Sequence, residues 1–410
     1  MTSPKIPAAW SNRGLWLLGP AFVASIAYVD PGNVAANLTG GARFGYLLVW
    51  VVVAANIIAA LVQFQSAKLG IVTGRTLPQL LGERLKPGAR RMYWVQAELV
   101  AAATDLAEVI GGAIALALLF QLPLVLGGLI IGTVSMIILA LQSRYGQRPF
   151  EFVIIGLLAV ISIGFMAGLV VNPPDAPQLF AGLVPRISGT ESIMLIASML
   201  GATVMPHAIY VHSALARDRH GVNVDPSRLR NLLRHTRWDV GIALSIAGVV
   251  NLGMLLLAAV NLRGVGGVET IEGAHEVIGD ALGPGIALIF AIGLLASGLA
   301  STAVGSYAGA TIMEGLLKRR IPIFVRRIVT LIPAILILGL GADPTQALVL
   351  SQIGLSFGIP FALIPLLSLT SNRALMGTFA SRLPMRVILG FAAGLVIVLN
   401  LALIGLAVLG

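Results

Sequence analysis

Two short stretches of this chain of 410 residues set polar groups inside runs apolar enough to cross a membrane. The first is Asp30-Pro31-Gly32-Asn33, between Ala27 and Ala35. Pro31 removes a backbone donor and Gly32 favours unwinding, so a helix through this stretch should break. A carboxylate at bilayer depth is costly, and its default role is functional. The second stretch is Ala202-Thr203-Val204-Met205-Pro206-His207, again a proline in mid-run beside polar groups. Together the two offer one carboxylate (Asp30), one amide (Asn33), carbonyls freed near Ala27 and Ala202, and one thioether (Met205). Oxygen donors suit hard cations, whereas a thioether adds little for Mg2+ or Ca2+. The mixture favours Mn2+, Fe2+ and softer divalent ions. Packing is the ordinary role of a methionine in a membrane. The place of Met205 before the proline of a broken helix points to ligation instead. For Asp30 the bland alternative is a structural ion pair, and the sequence places no base at mid-membrane to form one.

A second group of polar residues is Glu98, Asp105 and Glu108. Their spacing puts all three roughly on one helical face, which must look at protein or water rather than lipid. Carboxylate chains in that setting relay protons. Ion pairing is the alternative. The ninth apolar run reaches 20 residues only if it starts near Ile321, which draws Arg326 and Arg327 into the helix. The expected arrangement is a salt-bridge network of Glu98 with Arg326 and Arg327, leaving Asp105 to accept a proton from the site. His207 follows the second break, and an imidazole titrating near neutrality suits a pH-sensitive role. His207 and His212 stand five apart, so they do not form the two-histidine pair of metalloproteases. His212, His220, His235 and His275 have no such context. Gln63 and Asn56 are polar at membrane depth and are expected to line the pathway.

The elements that position these groups follow from composition. Hydrophobic residues make up 57% of the chain and charged residues 11%, and the mean hydropathy is +0.95. These values exclude a soluble enzyme, a disordered chain and a secreted disulfide scaffold. There is no cysteine, hence no disulfide and no thiolate metal site. Eleven runs match the length of about 20 residues that spans a bilayer as a helix. They are 16–39, 46–68, 92–120, 123–142, 151–171, 192–215, 239–261, 282–309, 321–340, 345–369 and 387–408, with the tenth interrupted by Pro360 and Pro365. The first run continues past Asp30 with no cleavage site, so it reads as a span and not a signal peptide. Alternate loops hold 24 of the 27 Lys and Arg residues, which sets the N-terminus in the cytoplasm and the C-terminus outside. The net charge of +10 is thus a sidedness signal and no sign of nucleic-acid binding. The outer segment 262–281 is acidic. Ser297, Ser301, Gly305 and Gly309 recur every four residues, a small-residue ladder for close helix packing that reads as scaffold.

The breaks lie 175 residues apart and open the first and sixth spans. Interrupted helices at matching positions mark the binding site of inverted-repeat transporters. The domain reading is a cytoplasmic segment 1–15, a first five-span unit 16–171, a second, inverted unit 192–369, and a last span in 387–410. No side-chain identity links the halves. No nucleotide-binding loop is present, so ATP does not drive the process directly.

Asp30-Pro31-Gly32-Asn33 paired with Met205-Pro206-His207 resembles the signature of the NRAMP family of divalent metal transporters, most closely its bacterial MntH-type branch of proton-coupled manganese transporters. The resemblance extends over the whole chain. It includes Gly19-Pro20-Ala21 through Gly40-Gly41-Ala42-Arg43, and Ala97-Glu98-Leu99 through Asp105-Leu106-Ala107-Glu108. It implies an all-α, LeuT-like fold of five plus five inverted helices with helices 1 and 6 broken, plus one extra C-terminal helix. It implies metal ligation by Asp30, Asn33, the Ala202 carbonyl and the Met205 sulfur, joined by the Ala27 carbonyl in one state and by Gln352 on occlusion. Met205 is retained, unlike in the magnesium-transporting relatives. Acidic residues and arginines matching Glu98, Asp105, Glu108, Arg326 and Arg327 are implicated in proton movement, with Asp30 and His207. The expected protein is no enzyme and has no cofactor. It is a monomeric importer of Mn2+, with Fe2+, Co2+, Zn2+ and Cd2+ as further substrates, coupled to H+ in the cell (inner) membrane. The alternatives are a LeuT-like amino-acid or sodium-coupled carrier, a passive channel, and an intramembrane metalloenzyme. The histidine spacing offers the last no ligand set.

Overall fold

The computed structural model describes residues 19–145, 147–221, 226–266, 268, 270–318 and 323–409. The segment 1–15, the start of the ninth run at 319–322 and the side chain of Arg326 lie outside them. Among the described residues all regular structure is helical. The first run is split into α1 (Pro20–Ser25), a single 3-10 turn (Ile26–Tyr28) and α2 (Pro31–Phe44). Then come α3 (Val49–Thr73), the short α4 (Leu77–Arg84), α5 (Pro87–Phe120), α6 (Leu124–Tyr145), α7 (Gln147–Val171) and the short α8 (Ala176–Ala181). The sixth run is split into α9 (Gly189–Thr203) and α10 (Pro206–His220). After it follow α11 (Pro226–Asn261), α12 (Ile271–Leu282), α13 (Pro284–Leu317), α14 (Ile323–Gly339), α15 (Pro344–Ser371), α16 (Arg373–Met376) and α17 (Leu383–Leu409).

Helix starts are written locally. Thr76 and Gln79 form a reciprocal capping box at α4, and the Asp343 carboxylate accepts from the Thr345 and Gln346 N–H groups at α15. Proline stands in the first turn of α1, α2, α5, α10, α13 and α15, where its missing N–H costs nothing. Eight described helical stretches are long and apolar enough to cross a membrane, and Leu124–Ile138 and Arg327–Gly339 are shorter apolar helices at the fourth and ninth runs. The tenth run differs from expectation: α15 continues through Pro360 and Pro365 without a break.

The packing repeats when the first five runs are exchanged for the second five. α2 packs on α11 as α10 packs on α3, and α7 packs on α13 as α15 packs on α5. α1 packs on α7 as α9 packs on α15, while α5 and α13 are partners at the centre. The two fives are therefore intertwined, and their broken helices meet in the middle. Glycines on α13 explain the central contact. A Cβ at Gly298, beside the ladder, would lie 2.9 Å from Gly112 Cα, and one at the ladder's Gly305 would lie 2.8 Å from the Glu108 carboxylate. Exposed large apolar residues such as Met92, Leu99, Val170 and Phe391 cover the outside, as lipid contact requires.

Candidate metal centre between two broken helices

At the first break the chain leaves helical geometry at Val29 (φ −131°, ψ 33°), and Asp30 is extended (φ −73°, ψ 167°). Asp30 then caps α2. Its Oδ1 accepts from the Asn33 backbone N–H at 2.9 Å and from Asn33 Nδ2 at 2.6 Å. The carbonyls released by the break have partners from distant helices. Asn251 Nδ2 donates to the Tyr28 carbonyl at 2.7 Å, and Ser297 Oγ donates to the Val29 carbonyl at 2.5 Å. Asn37 Nδ2 in turn holds Asn251 Oδ1 at 3.1 Å. An uncapped buried carbonyl costs about 1–3 kcal/mol, so these side chains make the break tolerable.

At the second break Val204 leaves the helix (φ −100°, ψ 60°), and the extended Met205 heads α10 without a side-chain cap. The breaks are joined directly. Asn33 Nδ2 donates to the Ala202 carbonyl at 2.9 Å, and Thr203 Oγ1 donates to Asn33 Oδ1 at 3.3 Å. Asp30, Asn33, Ala202 and Met205 are all 0% exposed, and Met205 shares one apolar cluster with Ala27, Tyr28 and Val29. Gln352 of α15 lies over the pair. Its side chain fills the place that a Cβ on Gly32 would take, and its backbone carbonyl fills the place that a Cβ on Gly201 would take. Both positions need glycine for this approach. Asp30 Oδ2 and Gln352 Oε1 are buried acceptors with no hydrogen-bond partner among the described residues.

This is a cation's environment. Unsatisfied buried oxygens are expensive unless something positive answers them. The C-terminal ends of α9 and of the first half-helix turn their negative dipole ends toward the break, while the Asp30 carboxylate offsets the positive N-terminus of α2. The Asn33 amide now ties Asp30 to Ala202 through its NH2. Turned half-way round, it would present its oxygen beside theirs. Among the described residues no three of His, Cys, Asp and Glu cluster into a metal site, so a cation would rest on this mixed oxygen and sulfur set.

Polar groups continue from the breaks toward the end of the molecule that carries most bases. Gln63 Nε2 donates to the Tyr28 hydroxyl, and Gln63 Oε1 pairs with His212 Nδ1 at 2.7 Å, all three residues being fully buried. His212, which its sequence context leaves without a role, is thus part of a buried plug. The readable signal was a histidine and a glutamine at membrane depth. Asn56 does not join this network; it donates back to the Val52 carbonyl at 2.8 Å and packs by Gly248. Ser297 also differs from expectation, since one rung of the small-residue ladder caps a carbonyl of the break. Beyond the plug, Asp239 accepts from the Gly19 and Ala21 N–H groups at 3.1 and 3.0 Å, and Arg219 lies 3.8 Å from Glu151. At the opposite, acidic end a cavity of about 310 Å3 opens between α2, α9 and α15, with the Arg43–Glu191 ion pair on its wall and Ile353 in its lining.

The carboxylates of α5 separate. Arg327 of α14 pairs with Asp105, both buried, so this arginine reaches two turns beyond Glu98, whose other expected partner, the Arg326 side chain, lies outside the described residues. The reason is depth: a buried guanidinium needs a buried counter-charge, and Asp105 supplies one. Glu108 is 0% exposed against Gly305. His207 Nδ1 lies 3.3 Å from Thr104 Oγ1, one residue before Asp105, which links the second break to α5.

A shell of intertwined five-helix halves around two facing helix breaks is the LeuT-like architecture of secondary transporters. A closed-conformation structure of Mhp1, a nucleobase-cation-symport-1 family transporter, has the same fold at 17% identity (TM-score 0.59, 85% of this chain and 77% of that one). The sequence pattern of the Nramp family, described as natural resistance-associated macrophage protein-like, matches residues 21–406, and the chain belongs to this family. It is 59% identical to the divalent metal cation transporter MntH of Mycobacterium tuberculosis, over 96% of this chain and 92% of that one. A crystal structure of the Eremococcus coleocola manganese transporter superposes with a TM-score of 0.86 at 32% identity, covering 98% of this chain and 88% of that one.

Proposed function

We propose that this multi-pass membrane protein imports divalent transition-metal ions, Mn2+ foremost with Fe2+, Co2+, Zn2+ and Cd2+ as further substrates, coupled to protons by alternating access. The observation that carries the reading is the junction of the two breaks. There the Asp30 carboxylate, the Asn33 amide and the Ala202 carbonyl share one hydrogen-bonded cluster beside Met205. The MntH and manganese-transporter relatives support the substrate class. A cation entering from the acidic end meets Gln352 first, exchanges its water for Asp30, the turned Asn33 amide and the Ala202 carbonyl, and takes the Met205 sulfur as its soft ligand. The Ala27 carbonyl joins when α1 moves. Opening toward the basic end requires the Tyr28–Gln63–His212 plug to part and α1 to leave its cap on Asp239.

The proton route we assign runs from Asp30 past His207 and Thr104 to the Asp105–Arg327 pair, with Glu108, Glu98 and Arg326 further along α5 and α14. The basic end faces the cytoplasm, on the bias of the bases, with the N-terminus inside and the C-terminus outside the inner membrane. The eleven runs act as units 16–171 and 192–369 plus a final span, in a monomer, without cofactor or ATP. An amino-acid carrier is the second reading that the fold admits, but Asp30 would repel a substrate carboxylate.

The test is Mn2+ uptake into proteoliposomes with simultaneous recording of internal pH, for wild type and Asp30→Asn, with alanine as competitor. Saturable uptake with internal acidification, lost in Asp30→Asn and indifferent to alanine, is expected. Uptake without acidification would sink the coupling, and competition by alanine would sink the substrate.

A further inference from the structure

A groove of about 470 Å3 runs along the outer surface between α5 and α15, away from the metal centre. Its walls are apolar and open outward: Met92 and Leu99 on one side are 77% and 67% exposed, and Phe361 on the other is 50% exposed. Its floor is low because Gly354 has open space where a side chain would stand. It is asymmetric in charge. Arg91 lines the end nearest the basic loops, exposed and with no carboxylate partner among the described residues, whereas its neighbour Arg90 is bound to the Gly82 carbonyl. From Arg91 to Val100 the groove follows α5 for about 14 Å at 1.5 Å per residue. That is close to one leaflet's half of a hydrocarbon core about 30 Å thick. Gln96 lies between these ends, about 7 Å below Arg91 along the helix, and its Oε1 is buried without a partner. Turned over, its amide would donate at the depth of a lipid's ester carbonyls.

We propose that this groove binds an anionic phospholipid of the leaflet at the basic end, with one acyl chain over Gly354 and the phosphate on Arg91. The length fits an acyl chain within one leaflet, and the lone base at the headgroup level selects the charge. The site borders the seam where a Cβ on Gly358 of α15 would lie 2.7 Å from Val100 and 3.0 Å from Pro206, so an occupied groove braces α15 against α5 and α10. Gln352 is carried by the same α15, which couples lipid occupancy to the helix that closes the centre.

The experiment is native mass spectrometry of the full chain in nanodiscs, with phosphatidylglycerol and phosphatidylcholine offered in equal amounts. Wild type should retain one phosphatidylglycerol over phosphatidylcholine by about five-fold, the weight of one base against an anionic headgroup. Arg91→Gln should abolish the preference while still retaining a lipid, and Gly354→Leu should lose the retained lipid altogether. Arg186→Gln, on the opposite end, should change nothing. Equal retention of both lipids by wild type, or an undiminished preference in Arg91→Gln, overturns the proposal. Mn2+ uptake by the same preparations reports separately: variants that transport yet show no lipid selectivity refute the groove alone, and a lipid-selective protein that moves no metal refutes the transport reading alone.

Discussion

The two helix breaks look alike in sequence, each a proline inside an apolar run, yet they are built differently. The first is a polar construction. Asp30 caps the outgoing helix, and Asn251 and Ser297, reaching in from α11 and α13, satisfy the carbonyls left behind. The second is less elaborate: Met205 heads α10 with no side-chain cap, and the break is tied to the first by the Asn33 amide on the Ala202 carbonyl and by the Thr203 hydroxyl on Asn33. The lesson is a division of labour. One break supplies the charge and the hard oxygen, held rigidly by a network. The other would supply a soft sulfur set among apolar side chains and a carbonyl that the Asn33 amide already holds. On the proposed reading a cation between the two would meet hard oxygen on one side and soft sulfur on the other.

The largest effect expected of any single change is at the charged break. Asp30→Asn should weaken Mn2+ binding by two orders of magnitude or more, the cost of about 3 kcal/mol typical of an unanswered buried charge. Isothermal titration in detergent measures it, and binding within ten-fold of wild type would break the assignment of the charge to this side. Next is Asp105→Asn, which leaves Arg327 buried without its counter-charge. It should cut proton flux in proteoliposomes several-fold more than it cuts metal binding; equal losses would place Asp105 in the scaffold only. Met205→Ala should lower Mn2+ affinity by about ten-fold, lower Cd2+ affinity further, and let Ca2+ or Mg2+ compete, since the soft ligand is what excludes them. If Asp30→Asn and Met205→Ala shift Ca2+ competition equally, the hard and soft division is wrong. The smallest effect sharpens the contrast in construction. Asn251→Ala should destabilise the fold by about 1–3 kcal/mol through the exposed Tyr28 carbonyl, read as a lower melting temperature. Thr203→Ala at the packed break, where the hydroxyl bond to Asn33 is long, should cost less.

Much of the centre was legible from residue types alone. A carboxylate, a Pro-Gly pair and a Met-Pro pair stand out because a bilayer tolerates so few polar or helix-breaking residues. What was hidden is whatever depends on partners far along the chain. Ser297 looks like a rung of small residues, and only the approach of α13 to Val29 gives it a hydrogen bond. His212 and Gln63 are separated by most of the first half, so nothing local joins them. That Arg327 reaches Asp105 turns on depth, and helical spacing does not report depth. The kinship of the two halves is likewise absent from their side chains and present in their contacts, where several pairings, such as α2 on α11 and α10 on α3, recur when the fives are exchanged.

The sequence by itself determined the class of protein, the places where helices break and the chemistry available at those places. These follow from local rules: apolar length against bilayer thickness, proline against the helix hydrogen bond, charge against hydrocarbon. The tertiary structure alone decided which polar groups of the two breaks meet, which carbonyls are already taken, and that Tyr28, Gln63 and His212 join in one buried network on the basic side. Those are questions of distance between residues up to hundreds of positions apart, and only the packing of the two intertwined halves sets them.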